Sequence, residues 1–155
     1  MLSRLVGPKG RVLSFEANPD NANNLRKHLL INDIENVEVI EAAVCDRSGE
    51  AYFEANAHRG KYGYMGKLAA SGMHVRTIDL DSFATPDLIK MDIEGAETLA
   101  LTGASRILSE HKAAIFLALH DGTLEAAPAI LEKHGYALAH VAERELWAIP
   151  PKLSA

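Results

Sequence analysis

The run Leu88-Ile89-Lys90-Met91-Asp92-Ile93-Glu94-Gly95-Ala96-Glu97 joins an apolar stretch to three carboxylates, a glycine and good helix formers. This is the pattern of a buried strand that delivers acidic groups to a ligand crevice and then turns into a helix. A core strand has no cheap way to bury three carboxylates, so they face a cleft, a partner or water. Asp92 and Glu94 are two residues apart, hence on one side of an extended strand. Glu97 lies one turn beyond Glu94 and close to it. Clustered carboxylates oppose one another's ionisation, which suits acid–base work or a cation site. The rival reading needs no chemistry: Glu97 caps its own helix and Lys90 neutralises the rest.

A second apolar run, Ala113 to Leu119, ends in His120-Asp121-Gly122. In a parallel sheet these residues lie beside Asp92. Two uses are open. His120 could take a proton from a hydroxyl acceptor, since imidazoles change charge near neutral pH. Alternatively Asp92, His120 and Asp121 could hold a divalent cation. A plain His-Asp-Gly turn outweighs either use. For want of a closed ligand set no metal is assigned, while Asp92 and His120 are carried as catalytic candidates.

These residues need elements to position them. Residues 11–17 read as a strand, and Asn18-Pro19 as an N-cap followed by proline at the first helical position. Leu25, Leu29 and Leu30 stripe a helix ending near Asn32. A strand over 37–44, a turn at Asp46-Arg47-Ser48-Gly49 and a short strand over 50–54 follow. Residues 56–72 are rich in glycine and basic residues and read as a surface loop, whose Tyr62 and Tyr64 could close over an acceptor. Further strands are expected at 74–80, 88–93 and 113–119. A helix starts near Ala96 and is interrupted by Gly103. Thr123 reads as the cap of a helix that runs to His134 and is closed by Gly135. Residues 136–141 and 145–149 form a terminal hairpin. Strands alternating with helices argue for a parallel sheet covered on both faces.

The chain has 155 residues, 48% of them hydrophobic, which suffices for one domain with its own core. A net charge of −5 argues against sequence-independent nucleic-acid binding. The single cysteine, Cys45, excludes an internal disulfide and a thiol-rich zinc site, and reads as a small buried hydrophobe. Trp147 reads as packing. No run approaches a membrane span and Met1 to Leu5 is no signal peptide, so a cytoplasmic setting is expected, without membrane or nucleic-acid partners.

Phe15-Glu16-Ala17-Asn18-Pro19, Val75-Arg76-Thr77-Ile78-Asp79 and Ile89-Lys90-Met91-Asp92-Ile93-Glu94-Gly95-Ala96-Glu97 resemble, in order and spacing, the FkbM-type methyltransferases. The last block is the most specific, and the family usually has a proline where Ala17 stands. The resemblance implies a single α/β, Rossmann-like class I methyltransferase domain over residues 1–155, its sheet mostly parallel with an antiparallel C-terminal hairpin. It implies S-adenosylmethionine as cofactor and a small-molecule or sugar hydroxyl as acceptor. Glu16, Asn18, Asp46 and Asp92 become cofactor-binding candidates, with Glu16 on the ribose hydroxyls and Asp46 on the adenine amino group. A strand-end carboxylate suits the ribose role, against helix-entry and turn charges as the plain readings of Glu16 and Asp46. Glu94 and Glu97 become acceptor-binding candidates. Enzymes of this class begin with a strand and a glycine-rich turn, yet only Met1 to Gly10 precede the strand of Glu16. The domain is therefore expected to be N-terminally truncated, without the central strand between those ending at Glu16 and Asp92. The alternative function is a non-catalytic fragment that binds partners or pairs with a second copy through the open sheet centre. A nicotinamide-type enzyme is disfavoured, because no Gly-x-Gly-x-x-Gly follows a strand.

Overall fold

The computed structural model describes residues 2–55 and 66–151. The expected loop tyrosines Tyr62 and Tyr64 lie outside the described residues. The chain divides into two compact units, residues 1–43 with 50–77, and residues 44–49 with 78–155.

The first unit opens with a short helix α1 (Leu2–Leu5) and strand β1 (Val12–Glu16). Helix α2 (Pro19–Ile31) then leads to β2 (Val37–Glu41), which pairs with β1 in parallel from Val12↔Val37 to Glu16↔Glu41. The start of α2 is built as expected. Pro19 is at its first position, and Asn18 Oδ1 accepts the N–H groups of Asp20 (2.9 Å) and Asn21 (3.4 Å). Those N–H groups have no partner within the helix, so the cap satisfies donors that would otherwise need water. The apolar stripe differs from expectation. Ala22 is buried, Leu25 and Leu29 are half-buried, and Leu30 is 79% exposed. At 3.6 residues per turn Leu25 and Leu29 fall on one side of Ala22, whereas Leu30 falls on its other side, at the edge of the inward face.

The expected strand over 37–44 breaks at Ala42, after which β3 (Ala43–Val44) enters a second sheet. That sheet has the order β3-β6-β4-β5, with β4 at Gly49–Ala55, β5 at Gly66–Ala69 and β6 at Met73–Ile78. Residues 66–69, read as loop, are thus a strand antiparallel to β4, with Phe53 opposite Leu68. The glycines hid a short edge strand, whose pairing is set by its neighbour rather than by its own propensity. Ala43, Phe53 and Val75 are buried together, with Ala17, Leu68 and Met73 packed against them.

The second unit carries a sheet of order β7-β8-β10-β9, with β7 at Leu88–Met91, β8 at Ala114–Ala118, β9 at Ala137–Ala142 and β10 at Glu145–Ile149. Strands β7 and β8 are parallel, joined through helices α3 (Glu97–Thr102) and α4 (Ser105–Ser109). Strand β10 is antiparallel to both β8 and β9. The terminal hairpin is as expected, but the sheets are mixed rather than mostly parallel. A connection as short as that between β9 and β10 can only reverse the chain. Helix α5 (Ala126–Lys133) starts later than the expected cap at Thr123. Gly135 follows it with φ +80°, a left-handed geometry that closes a helix at no cost to glycine. Ile115, Leu117, Leu146 and Ala148 are wholly buried with Leu101, Ile107, Leu108 and Leu131. Phe116 and Trp147 meet edge to face across the β8–β10 pair, with centroids 5.1 Å apart.

Gly103 ends α3 as the sequence indicated, and the reason is close approach. A Cβ there would stand 2.2 Å from the Cys45 carbonyl oxygen. A second device holds the same region. Asp81, in the 3-10 turn Leu80–Ser82, accepts the N–H groups of Arg106 (2.8 Å) and Ile107 (3.0 Å) at the start of α4. Asp79 accepts the hydroxyls of Ser48 (2.6 Å) and Ser82 (2.9 Å), which hold its carboxyl below the ordinary carboxylate range. A lowered folded value stabilises above the ordinary range, and that contribution is lost as pH falls through the lowered value. Ser48→Ala is therefore expected to destabilise by up to about 1 kcal/mol at neutral pH, the site being exposed. The difference from wild type should shrink in acid. Urea denaturation at neutral and acid pH checks it, and a difference that grows in acid would contradict it.

Candidate active site

Strands β7 and β8 run parallel in a register that sets Met91 opposite Leu117. Their carboxyl ends therefore open on the same side. β7 stops at Met91 rather than at Ile93, so Asp92 and Glu94 do not share a strand face. They converge by another route. Glu94 takes φ +55° and Gly95 φ +99°, a turn that folds the chain back into α3. A non-glycine residue in that region is uncommon and is held by its surroundings.

His120, two residues beyond the end of β8, is the point on which the acidic groups converge. Its Nδ1 lies 2.8 Å from Glu97 Oε1. Its Nε2 lies 3.7 Å from Asp92 Oδ1 and 3.6 Å from Glu94 Oε2. A carboxylate only accepts, so Nδ1 carries the hydrogen and donates it to Glu97, while Nε2 faces Asp92 and Glu94. The main chain of His120 is pinned as well. Its N–H donates to Thr123 Oγ1 (3.1 Å), whose hydroxyl donates back to the His120 carbonyl (2.9 Å). Thr123 thus fixes the histidine turn instead of capping α5. A threonine three residues after the histidine is the signal that could have revealed this local ring.

Glu97, expected to meet the acceptor, is instead wholly buried at the first position of α3. Its Oε1 also accepts the N–H groups of Gly95 (3.1 Å) and Ile93 (3.3 Å). Glu97 therefore ties together the turn that carries Asp92 and Glu94 and the ring that faces them. It reaches an acceptor only through His120. Glu97 Oε2 is buried and has no hydrogen-bond partner among the described residues. Lys90 Nζ lies 3.3 Å from Asp92 Oδ2, which leaves Oδ1 turned to the imidazole.

Asp121, weighed as a cation ligand beside Asp92 and His120, is displaced from the cluster. It is exposed and pairs with Arg144 Nη1 at 2.9 Å. Glu94 stands where Asp121 was expected, because the left-handed turn swings it inward while Asp121 points out past β8.

Glu16 and Asn18 belong to the first unit and are held together: the Asn18 N–H donates to Glu16 Oε1 at 2.8 Å. Glu16 Oε2 has no such tie among the described residues. Asp46 belongs to the second unit and is half-buried, its Oδ1 accepting the Cys45 thiol at 3.2 Å. Burial, with that hydrogen bond, raises the Cys45 thiol above its ordinary value. Cys45 is thus a packed thiol rather than a nucleophile.

A family model described as the Methyltransferase FkbM domain matches residues 1–138. The chain belongs to this family. Among solved structures, the FkbM methyltransferase from Methylobacillus flagellatus KT superposes with a TM-score of 0.63 at 24% identity. That match covers 95% of this chain and 40% of the other, so this FkbM chain spans less than half that protein's length. Precorrin-6y C5,15-methyltransferase from Geobacter metallireducens GS-15 superposes with a TM-score of 0.53 at 20% identity, over 91% of this chain and 65% of the other. At these identities both establish the mixed α/β fold alone. No curated protein matches the FkbM chain. Among its described residues no helix is long and apolar enough to cross a membrane.

Proposed function

We propose that the chain is an S-adenosylmethionine-dependent methyltransferase whose acceptor is a hydroxyl of a small molecule or sugar, acting in the cytoplasm. The family match over residues 1–138 supports methyl transfer. The observation that carries the choice of oxygen is the imidazole of His120, with Nδ1 held by Glu97 and Nε2 turned to Asp92 and Glu94.

The residues fit the cofactor's chemistry. Glu16 Oε1 is occupied by the Asn18 N–H, which orients the carboxylate and leaves Oε2 for a ribose hydroxyl. Asp46 offers an acceptor for the adenine amino group. S-adenosylmethionine, when bound, would supply a methyl carbon on a sulfonium for bonding to an acceptor oxygen, its bond to sulfur breaking to leave a neutral thioether. The chain's own contribution is to position the acceptor and to deal with its proton. A displacement needs the acceptor oxygen in line with the departing sulfur, so orientation supplies most of the acceleration. Asp92 and Glu94 are the carboxylates that accept hydrogen bonds from such an acceptor. His120 Nε2 is the basic atom of the site. It takes up positive charge there, either the acceptor's proton or an ion that holds the acceptor's oxygen.

Incubation with methyl-labelled S-adenosylmethionine and a panel of sugars, alcohols and amines tests the choice of acceptor. Label recovered in ether linkages is expected. Label found only on nitrogen would overturn the hydroxyl assignment.

A further inference from the structure

We infer that Asp92, Glu94 and His120 form a binding site for one divalent transition-metal ion. The inference deepens the methyl-transfer reading, since such an ion would hold and polarise an acceptor hydroxyl. The site itself rests on geometry alone.

Asp92 Oδ1, Glu94 Oε2 and His120 Nε2 lie within 4.8 Å of one another. The two carboxylate oxygens stand 3.7 and 3.6 Å from Nε2. That is too long for a hydrogen bond, whose N–H···O distance falls at roughly 2.7–3.2 Å. It suits ligands sharing an ion: with bonds of about 2.1 Å, such separations correspond to ligand–ion–ligand angles of roughly 120°.

The second observation is Glu97. This wholly buried carboxylate is turned onto the same ring, with Oε1 on Nδ1 at 2.8 Å and Oε2 without a partner among the described residues. A metal-binding histidine characteristically donates its other N–H to a carboxylate, which fixes the tautomer and makes the free nitrogen a better ligand. Glu97 is therefore a positioning residue. The charges agree. Among the described residues that pair with this cluster, and with a neutral imidazole, the three carboxylates of Asp92, Glu94 and Glu97 exceed the one ammonium of Lys90 by two negative charges. A divalent cation cancels that excess. Histidine sites among carboxylates accept transition metals such as manganese and zinc, whereas magnesium and calcium prefer oxygen alone. With an ion in place, His120 is a ligand, and the acceptor's proton is lost to water from an oxygen the ion has acidified.

The test uses the whole chain, stripped with a chelator and then titrated with manganese(II) chloride. Free ion is followed by electron paramagnetic resonance, and zinc(II) chloride is titrated in parallel by calorimetry. One ion per chain is expected, with nitrogen hyperfine modulation from the imidazole on the bound manganese. Glu94→Gln, which leaves the fold's buried groups alone, should weaken binding at least tenfold, and His120→Ala should remove the nitrogen signal. Glu97→Gln should weaken binding by roughly 10–100-fold through the ring it orients. Asp121→Asn lies outside the set and should leave binding unchanged. Absence of stoichiometric binding by either ion would overturn the site, as would binding indifferent to Glu94→Gln or without nitrogen modulation. None of these readouts needs a methyl donor, so failure of the methyl-transfer reading would leave them unaffected. Conversely, active but metal-free methyl transfer would remove the ion and keep the enzyme.

Discussion

Replacing His120 by alanine is expected to slow methyl transfer by about 10²–10⁴-fold while leaving the affinity for S-adenosylmethionine near its wild-type value. The split follows from what the ring touches. His120 faces Asp92 and Glu94, the carboxylates proposed to meet the acceptor, and Glu97, which holds its ring. Whether Nε2 takes a proton or binds an ion, it acts on the acceptor oxygen. Removing it also leaves Glu97 buried with one fewer donor, so the variant's thermal midpoint is measured alongside its rate. Equal loss of cofactor affinity and rate would contradict the assignment, because it would mean that the ring supports the cofactor rather than the reaction.

Gly103→Ala is expected to destabilise the chain by about 3 kcal/mol, a fall of roughly 6–12 °C in unfolding temperature. The added methyl would meet the Cys45 carbonyl oxygen at 2.2 Å and the Asp46 main chain at 3.1 Å. Neither obstacle is a side chain that can rotate away. The glycine's φ of −76° suits any residue, so the whole penalty is steric and none is conformational. The Cys45 N–H is itself bonded to the Ile78 carbonyl at 2.9 Å, so the strand cannot retreat without breaking that bond. Because the displaced backbone leads into Asp46, the variant should also bind S-adenosylmethionine more weakly. Thermal denaturation measures the first effect. A shift of less than 2 °C, below even a small overpacking penalty of about 1 kcal/mol, would show that the segment gives way and that the contact is loose.

Local signals were legible in the sequence and long-range ones only in outline. The cap at Asn18-Pro19 and the helix breaks at Gly103 and Gly135 depend on a few neighbouring residues, and all three occur where expected. The meeting of Asp92 with His120 followed from a topological rule: adjacent parallel strands open their carboxyl ends together. Which further carboxylate joins them did not follow. From the sequence, Asp121 is the expected third cation ligand and Glu94 an acceptor-binding residue. The choice is made by the left-handed turn at Glu94 and by the Arg144 side chain arriving from the β9–β10 turn. The burial of Glu97 was hidden for a similar reason. A glutamate opening a helix reads as a surface cap, and only the packing of α3 turns it onto the ring. Leu30 looked like core because it is apolar, but the helix's inward face is set by Ala22. Residues 66–69 became a strand through pairing with β4, information that lies outside the segment itself.

Cofactor binding through Glu16 is the step on which the proposed methyl transfer depends. The most direct measurement is calorimetric titration of the purified chain and its Glu16→Gln variant with S-adenosylmethionine. One site of micromolar affinity is expected in the wild type. The variant should bind about tenfold more weakly, the loss of roughly 1.4 kcal/mol expected for a charge-assisted hydrogen bond to the ribose. No heat and no thermal shift with the wild-type chain would contradict it.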